Sequence, residues 1–209
     1  MPRGATNWRV GLKEPCPRFL YVSSTSVYGQ TDGSLVEETS PTAPLAATAQ
    51  ILLKTEKLLL AAVAERKFPA VILRVAAIYG PGRGYWFKQF AKNEARIEGD
   101  GSRILNMIHR DDVIGCIVSA LRNGRPGEIY NAVDDEPVTQ MTFFHWLADE
   151  LGRDLPPAAP ENWEENRKRG TTNKRVSNRK LKTELGYKFK YPDYRSGYTA
   201  EIARRGWND

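Results

Sequence analysis

The run Ala70-Val71-Ile72-Leu73-Arg74-Val75-Ala76-Ala77-Ile78 is apolar at every position but Arg74. A strand with one wet face alternates polar and apolar side chains. An unbroken run marks a strand covered on both faces, and such strands belong to parallel sheets sandwiched by helices. This one ends in a turn, Tyr79-Gly80-Pro81-Gly82-Arg83. Residues 18–24 read as another strand, closing on Ser23 and Ser24 and followed by Thr25-Ser26-Val27-Tyr28-Gly29. Small hydroxyls therefore stand at the carboxyl end of a buried strand, where open α/β sheets hold their ligands. Residues 128–133 read as a third buried strand.

Helical patterns fill the intervals. Residues 4–14 form a short helix stopped by Pro15 and Pro17. After a turn-rich stretch over 29–44, a long helix carrying Ile51, Leu52, Leu58, Leu59 and Val63 runs to about Arg66. A helix over 85–94 precedes Gly99-Asp100-Gly101, which reads as a hairpin-like turn between Ile97 and Ile104. Asp111 or Asp112 then caps a helix with Val113, Ile117, Ala120 and Leu121 on its apolar face, and residues 139–151 make an amphipathic helix. Strand and helix alternate throughout 18–151, which predicts an α/β fold with a parallel sheet flanked by helices. Beyond a proline-rich stretch at 155–160 lies a basic C-terminal part.

The chain has 209 residues, 41% hydrophobic and 27% charged, with a net charge of +6. No apolar stretch approaches the ~20 residues of a membrane span, and the Met1 region lacks a signal-peptide core, so the expected location is cytoplasmic. Cys16 and Cys116 have neither metal-ligand nor disulfide-framework spacing. Between Arg167 and Lys190, basic residues crowd against the single acid Glu184. That cluster is either a solvated face or a site for ligand phosphates. Nucleic acid is the weaker reading, because no aromatic stacking pattern accompanies the charge.

Four stretches in order carry a family resemblance: Tyr21-Val22-Ser23-Ser24-Thr25-Ser26-Val27-Tyr28-Gly29, Leu73-Arg74 through Ile78-Tyr79-Gly80-Pro81-Gly82-Arg83, Ile108-His109-Arg110-Asp111-Asp112-Val113, and Gly127-Glu128-Ile129-Tyr130-Asn131. With them the chain resembles the extended short-chain dehydrogenase/reductases, the NAD(P)-dependent epimerase/dehydratase family that acts largely on nucleotide sugars. The resemblance implies a partial Rossmann-like sheet over 1–155, a substrate-lobe insertion near 84–108 and a small C-terminal substrate lobe over 156–209. Gly4-Ala5-Thr6-Asn7 is similar to the start of the helix before the family's serine-bearing strand. The chain is thus expected to be N-terminally truncated. The family's Gly-x-x-Gly-x-x-Gly turn, which seats the dinucleotide pyrophosphate on a helix N-terminus, has no counterpart in these residues.

By the same resemblance the cofactor is NAD or NADP, with Ser23, Ala76, Ala77 and Ile78 facing it. Ser24 matches the catalytic serine that orients the reacting oxygen. The family's tyrosine and lysine, four apart on the long helix, fall on Thr48 and Leu52, and neither side chain can replace its counterpart. Tyr28 is more often a packing residue at this motif, and the alternative is that it replaces the missing acid/base as a catalytic residue. Arg83, after a Gly-Pro-Gly turn, is placed to hold an anionic group of a small anionic or sugar-like substrate. His109 is either a substrate contact or a histidine hydrogen-bonded in a turn. No metal site is expected: Asp111 and Asp112 have no further ligand at suitable spacing. A non-catalytic ligand-binding or sensor protein on the same fold is the alternative function. Without the family's opening strands, several hundred Å² of apolar surface would stay open at a cost on the order of 10 kcal/mol, so the chain is expected to form a homodimer, rearrange or aggregate.

Overall fold

The computed structural model describes residues 18–161 and 172–205. The expected helix over 4–14, Cys16 and the basic residues Arg167, Lys168 and Arg169 lie outside them. In chain order the elements are β1 (Phe19–Ser24), a single 3-10 turn (Thr25–Val27), β2 (Leu35–Val36), α1 (Ala47–Arg66), β3 (Ala70–Val75), β4 (Ala77–Tyr79) and α2 (Tyr85–Ala91). They continue with β5 (Ile104–Leu105), β6 (Met107–His109), α3 (Arg110–Asn123), β7 (Ile129–Ala132), β8 (Val138–Thr139), α4 (Gln140–Leu151), β9 (Arg175–Val176), α5 (Arg179–Leu185) and α6 (Tyr194–Arg205).

The main sheet is parallel, in the order β1-β3-β7. β3 is central and buried at every position, as its unbroken apolar run requires, and α1 crosses from β1 back to it. β1 is an edge strand among the described residues, with Phe19 to Tyr21 half-buried and Val22 45% exposed. On α1, Leu52, Leu59 and Val63 are half-buried while Ile51 and Leu58 stay exposed.

The apolar run of residues 70–78 does not continue as one strand. Ala76 N donates to Ala132 O on β7, whereas Ala77 N donates to Asn106 O, and from there β4 pairs in parallel with β6. One hydrophobic segment thus serves two ladders, parting at Ala76. The hairpin-like turn expected at 99–101 is a local turn, with Gly101 N bonded to Glu98 O, but its flanks do not pair. Ile97 bridges to Ala158 and β5 pairs antiparallel with β8, so distant segments supply the ladder partners.

Two cores result. Under the sheet, Val71, Leu73, Val75, Tyr28, Ile108, Cys116, Ala120 and Tyr130 pack with Leu181 and Leu185 of α5. The second core is rich in aromatic rings: Tyr79, Phe87, Phe90, Phe143 and Phe144 pack with Tyr194 and Tyr198 of α6, Tyr79 stacking on Tyr198 at 4.4 Å between ring centres. Residues on both sides of position 155 therefore contribute to each core. The described part of the basic segment mostly forms exposed ion pairs, such as Arg179 with Glu37 and Lys182 with Asp135, which contribute little stability.

Candidate functional site

Ser24 ends β1 in extended geometry and accepts a hydrogen bond from Ser26 N at 3.2 Å, so its hydroxyl starts the 3-10 turn. Behind it lies a buried polar network. Ser23 donates to Glu56 of α1 at 2.5 Å, and Glu56 is paired with Arg74 at 2.7 Å. Arg74 also donates to the Tyr28 hydroxyl at 2.8 Å, and that hydroxyl donates to Asn131 Oδ1 at 2.9 Å. The one polar residue in the β3 run is thereby explained: its charge is neutralised by a carboxylate equally removed from water.

Two hollows open on either side of Ser24. One, of about 550 Å³, is lined by Val22, Ser23, Ser24, Leu52, Val75–Ile78, Gly82–Tyr85 and Lys88. The other, of about 160 Å³, is lined by Ser24–Ser26, Ala76, Ala77, Trp86, Arg103–Asn106, Thr172 and Lys174. Ser24, Ala76 and Ala77 belong to both. The hollows meet where the apolar run parts between two ladders, at the carboxyl ends of β1 and β3, the position open α/β sheets use for ligands.

Of the residues singled out from sequence, Ser23, Ser24, Ala76, Ala77, Ile78 and Arg83 share the larger hollow. Arg83 is exposed, its backbone N bonded to Gly80 O. Ser23 presents its hydroxyl to Glu56. Tyr28 lines neither hollow; it is fully buried, and burial raises its hydroxyl pKa against the opposing pull of Arg74. His109 lines neither as well. It is 1% exposed and serves as the N-cap of α3, its Nδ1 accepting from Asp111 N at 3.1 Å, which leaves the proton on Nε2. Burial lowers its pKa, and Gly80 at φ +122 lets it approach, since a Cβ there would lie 2.8 Å from His109 Nε2.

The cap is thus His109 and not Asp111 or Asp112. The Asp112 carboxylate is engaged elsewhere, accepting from Tyr187 Oη and from the backbone N of Lys190 and Tyr191. Among the described residues no group of His, Cys, Asp or Glu could hold a metal ion. No described helix is long and apolar enough to cross a membrane.

Sequence reading missed Asn106 and Trp86, and it held Lys174 only as one member of the basic cluster between Arg167 and Lys190. Lys174 is 4% exposed, and burial together with the nearby Arg103 charge lowers its pKa to about 8. Asn106 holds the strand that carries it, donating to Lys174 O at 2.9 Å and accepting from Val176 N at 2.8 Å. The available signal was the stretch Asn173-Lys174-Arg175-Val176, which lies inside the basic cluster and the expected substrate lobe over 156–209.

A profile of the NAD dependent epimerase/dehydratase family matches residues 8–132. The chain belongs to that family. It is 31% identical to protein YeeZ of Escherichia coli K12 over 187 residues, covering 87% of this chain and 61% of YeeZ. The chain thus spans about three fifths of that relative's length. A conserved protein of unknown function from Silicibacter pomeroyi superimposes with a TM-score of 0.78 at 34% identity, over 88% of this chain and 66% of that one. DesIV from Streptomyces venezuelae, a dTDP-glucose 4,6-dehydratase solved with NAD and TYD bound, gives 0.75 at 25% identity over 91% and 61%. Epimerase/dehydratase relatives bind NAD at this fold. The residues present here fit the nicotinamide end of such a cofactor, because Val22, Leu52, Val75, Ala76, Ala77 and Ile78 wall the larger hollow with small and apolar groups. A cradle for the pyrophosphate is not offered by the described residues.

Proposed function

We propose that this chain supplies the nicotinamide and substrate side of an NAD(P)-dependent epimerase, dehydratase or reductase acting on a sugar-like or nucleotide-sugar substrate. The observation that carries the reading is the sharing of Ser24, Ala76 and Ala77 by two adjoining hollows. A bound nicotinamide would accept or donate the hydride. The larger hollow excludes water from that side through Val75, Ala76 and Ile78, and Arg83 at its rim faces an anionic group. Ser24 Oγ is positioned to orient a substrate carbonyl or hydroxyl reaching in from the smaller hollow. Tyr28 acts as scaffold, clamped between Arg74 and Asn131.

Leu52 favours a second reading, that of a binding or sensor protein without turnover. It lines the larger hollow at the position where the resemblance puts the family's lysine, so no ammonium is available there to support a phenolate. Calorimetric titration with NADH and NADPH, combined with absorbance assays over a panel of carbonyl and nucleotide-sugar substrates, tests both readings. Dinucleotide affinity weaker than micromolar is expected, because the pyrophosphate contacts are missing from the described residues. Micromolar binding contradicts that expectation, and hydride transfer removes the sensor reading.

A further inference from the structure

We propose that Lys174 anchors an oxyanion subsite in the smaller hollow, taking a carboxylate or phosphate group of a compact substrate. The inference rests on the functional reading above only in treating Ser24 as the neighbour of the reacting oxygen. Lys174 Nζ donates to Thr172 Oγ1 at 2.5 Å and has no carboxylate partner among the described residues. A buried ammonium without a counter-charge is costly, and a site that keeps one is complemented by a ligand that brings the charge.

The same hollow holds another unmet group. Ser26 Oγ is buried and makes no hydrogen bond among the described residues, so it is free to donate to an incoming oxygen. Arg103 cannot be the anchor, because its guanidinium already pairs with Glu98 at 2.9 Å and lies over the Trp86 ring at 5.7 Å. Its charge instead adds to the positive potential at Lys174. The backbone on which Lys174 rides is fixed by Asn106 and by the pairing of β9 with β2, so the amine is held in place before any ligand arrives. A hollow of about 160 Å³ seats a carboxylate or phosphate, while the larger hollow has more room for the bulkier substrate parts.

Lys174, on which Arg103 is the charged group that acts, is half-deprotonated near pH 8. An anion raises that pKa again, so binding above pH 8 takes up a proton.

The test is a titration of the full, isotope-labelled chain with inorganic phosphate and, separately, with acetate, following the amides of Ser24–Ser26 and the Lys174 Nζ resonance. Saturable shifts at both places are expected, and the anion that produces them names the group. Lys174→Met should weaken binding about tenfold or more while Lys174→Arg stays within a few-fold of wild type. Absence of saturable shifts with either anion overturns the proposal, as does a folded Lys174→Met variant that binds as well as wild type. If that variant does not fold, the wild-type Nζ resonance decides: an unmoved signal overturns the proposal. A parallel titration with reduced nicotinamide mononucleotide reads the amides of Ala76, Ala77, Ile78 and Arg83. Loss of the anion response alone sinks the subsite, and loss of the nicotinamide response alone sinks the broader function.

Discussion

Two buried polar clusters flank the end of β1, and they obey opposite rules. In the Ser23, Glu56, Arg74, Tyr28 and Asn131 cluster every charge has its counter-charge and both hydroxyls have partners. On the other side of Ser24, Lys174 is buried without a carboxylate among the described residues, and Ser26 Oγ has no hydrogen bond among them. A completed network fixes geometry and has nothing left to offer a ligand. An incomplete one costs stability and keeps unspent hydrogen bonds and charge, which is the physical signature of a site.

The largest expected effect comes from breaking the completed cluster. Arg74→Met leaves Glu56 buried and unpaired, and urea unfolding should show a loss of roughly 3–5 kcal/mol. Adding Glu56→Gln to that variant should recover part of the loss, because the orphaned charge goes. If Arg74→Met costs nothing, the contrast between the clusters is gone.

The opposite sign is expected at Lys174. Its folded-state pKa of about 8 lies below the ordinary 10.5, so at pH 7 the folded protein bears a charge it would be better without. Lys174→Met should therefore raise stability at pH 7 by about 2–3 kcal/mol. Wild type gains stability as pH rises between those two values, so the gap should close over that window. Thermal unfolding at pH 7 and pH 10 checks both.

Asp134 in the aromatic lobe sharpens the rule further. It is 1% exposed, its Oδ2 has no partner among the described residues, and burial raises its pKa well above 3.8. Because an acid with a raised folded-state pKa destabilises as it ionises, Asp134→Asn should raise the thermal unfolding midpoint at pH 7. The gain should vanish below pH 3.8, where both folded and unfolded carboxyls are protonated.

The smallest effect on stability belongs to the outer edge of β1, which pairs with no further strand among the described residues. Val22→Lys should change unfolding free energy by no more than about 0.5 kcal/mol, yet it should lower the weight-average mass in sedimentation experiments, since an edge lysine discourages strand pairing between copies. A wild-type chain that sediments as a monomer at all concentrations removes the basis for that expectation.

Much of the larger hollow was legible because its residues sit on two short motifs at adjacent strand ends: Ser23 and Ser24 after one strand, and Ala76, Ala77, Ile78 and Arg83 along and after the next. Parallel pairing of β1 with β3 then suffices to bring them together. Tyr28 is a residue for which spacing alone leaves two roles open. Its spacing from Ser24 is the family's, but a turn of 3-10 helix rotates its ring into the core, where Arg74 and Asn131 hold it. The smaller hollow was not legible, because Lys174 joins Ser24 across 150 positions through the pairing of β2 with β9, each only two residues long. Pairs that short leave almost no periodic signal. The parting of residues 70–78 at Ala76 was hidden for a related reason: Ala77 and Ile78 are as apolar as the β3 run before them, although in β4 Ala77 is exposed and Ile78 half-buried, so no polar residue marks the break.

The measurement that bears most directly on the central claim, that the cleft at the Ala76 parting is where ligand meets Ser24, is amide shift mapping with reduced nicotinamide mononucleotide. The account predicts that Ser23, Ser24, Ala76, Ala77, Ile78 and Arg83 respond together while Asn131 stays still. Shifts centred instead on the hollow lined by Phe90, Asn93 and residues 152–157, with the Ala76 segment silent, would contradict it.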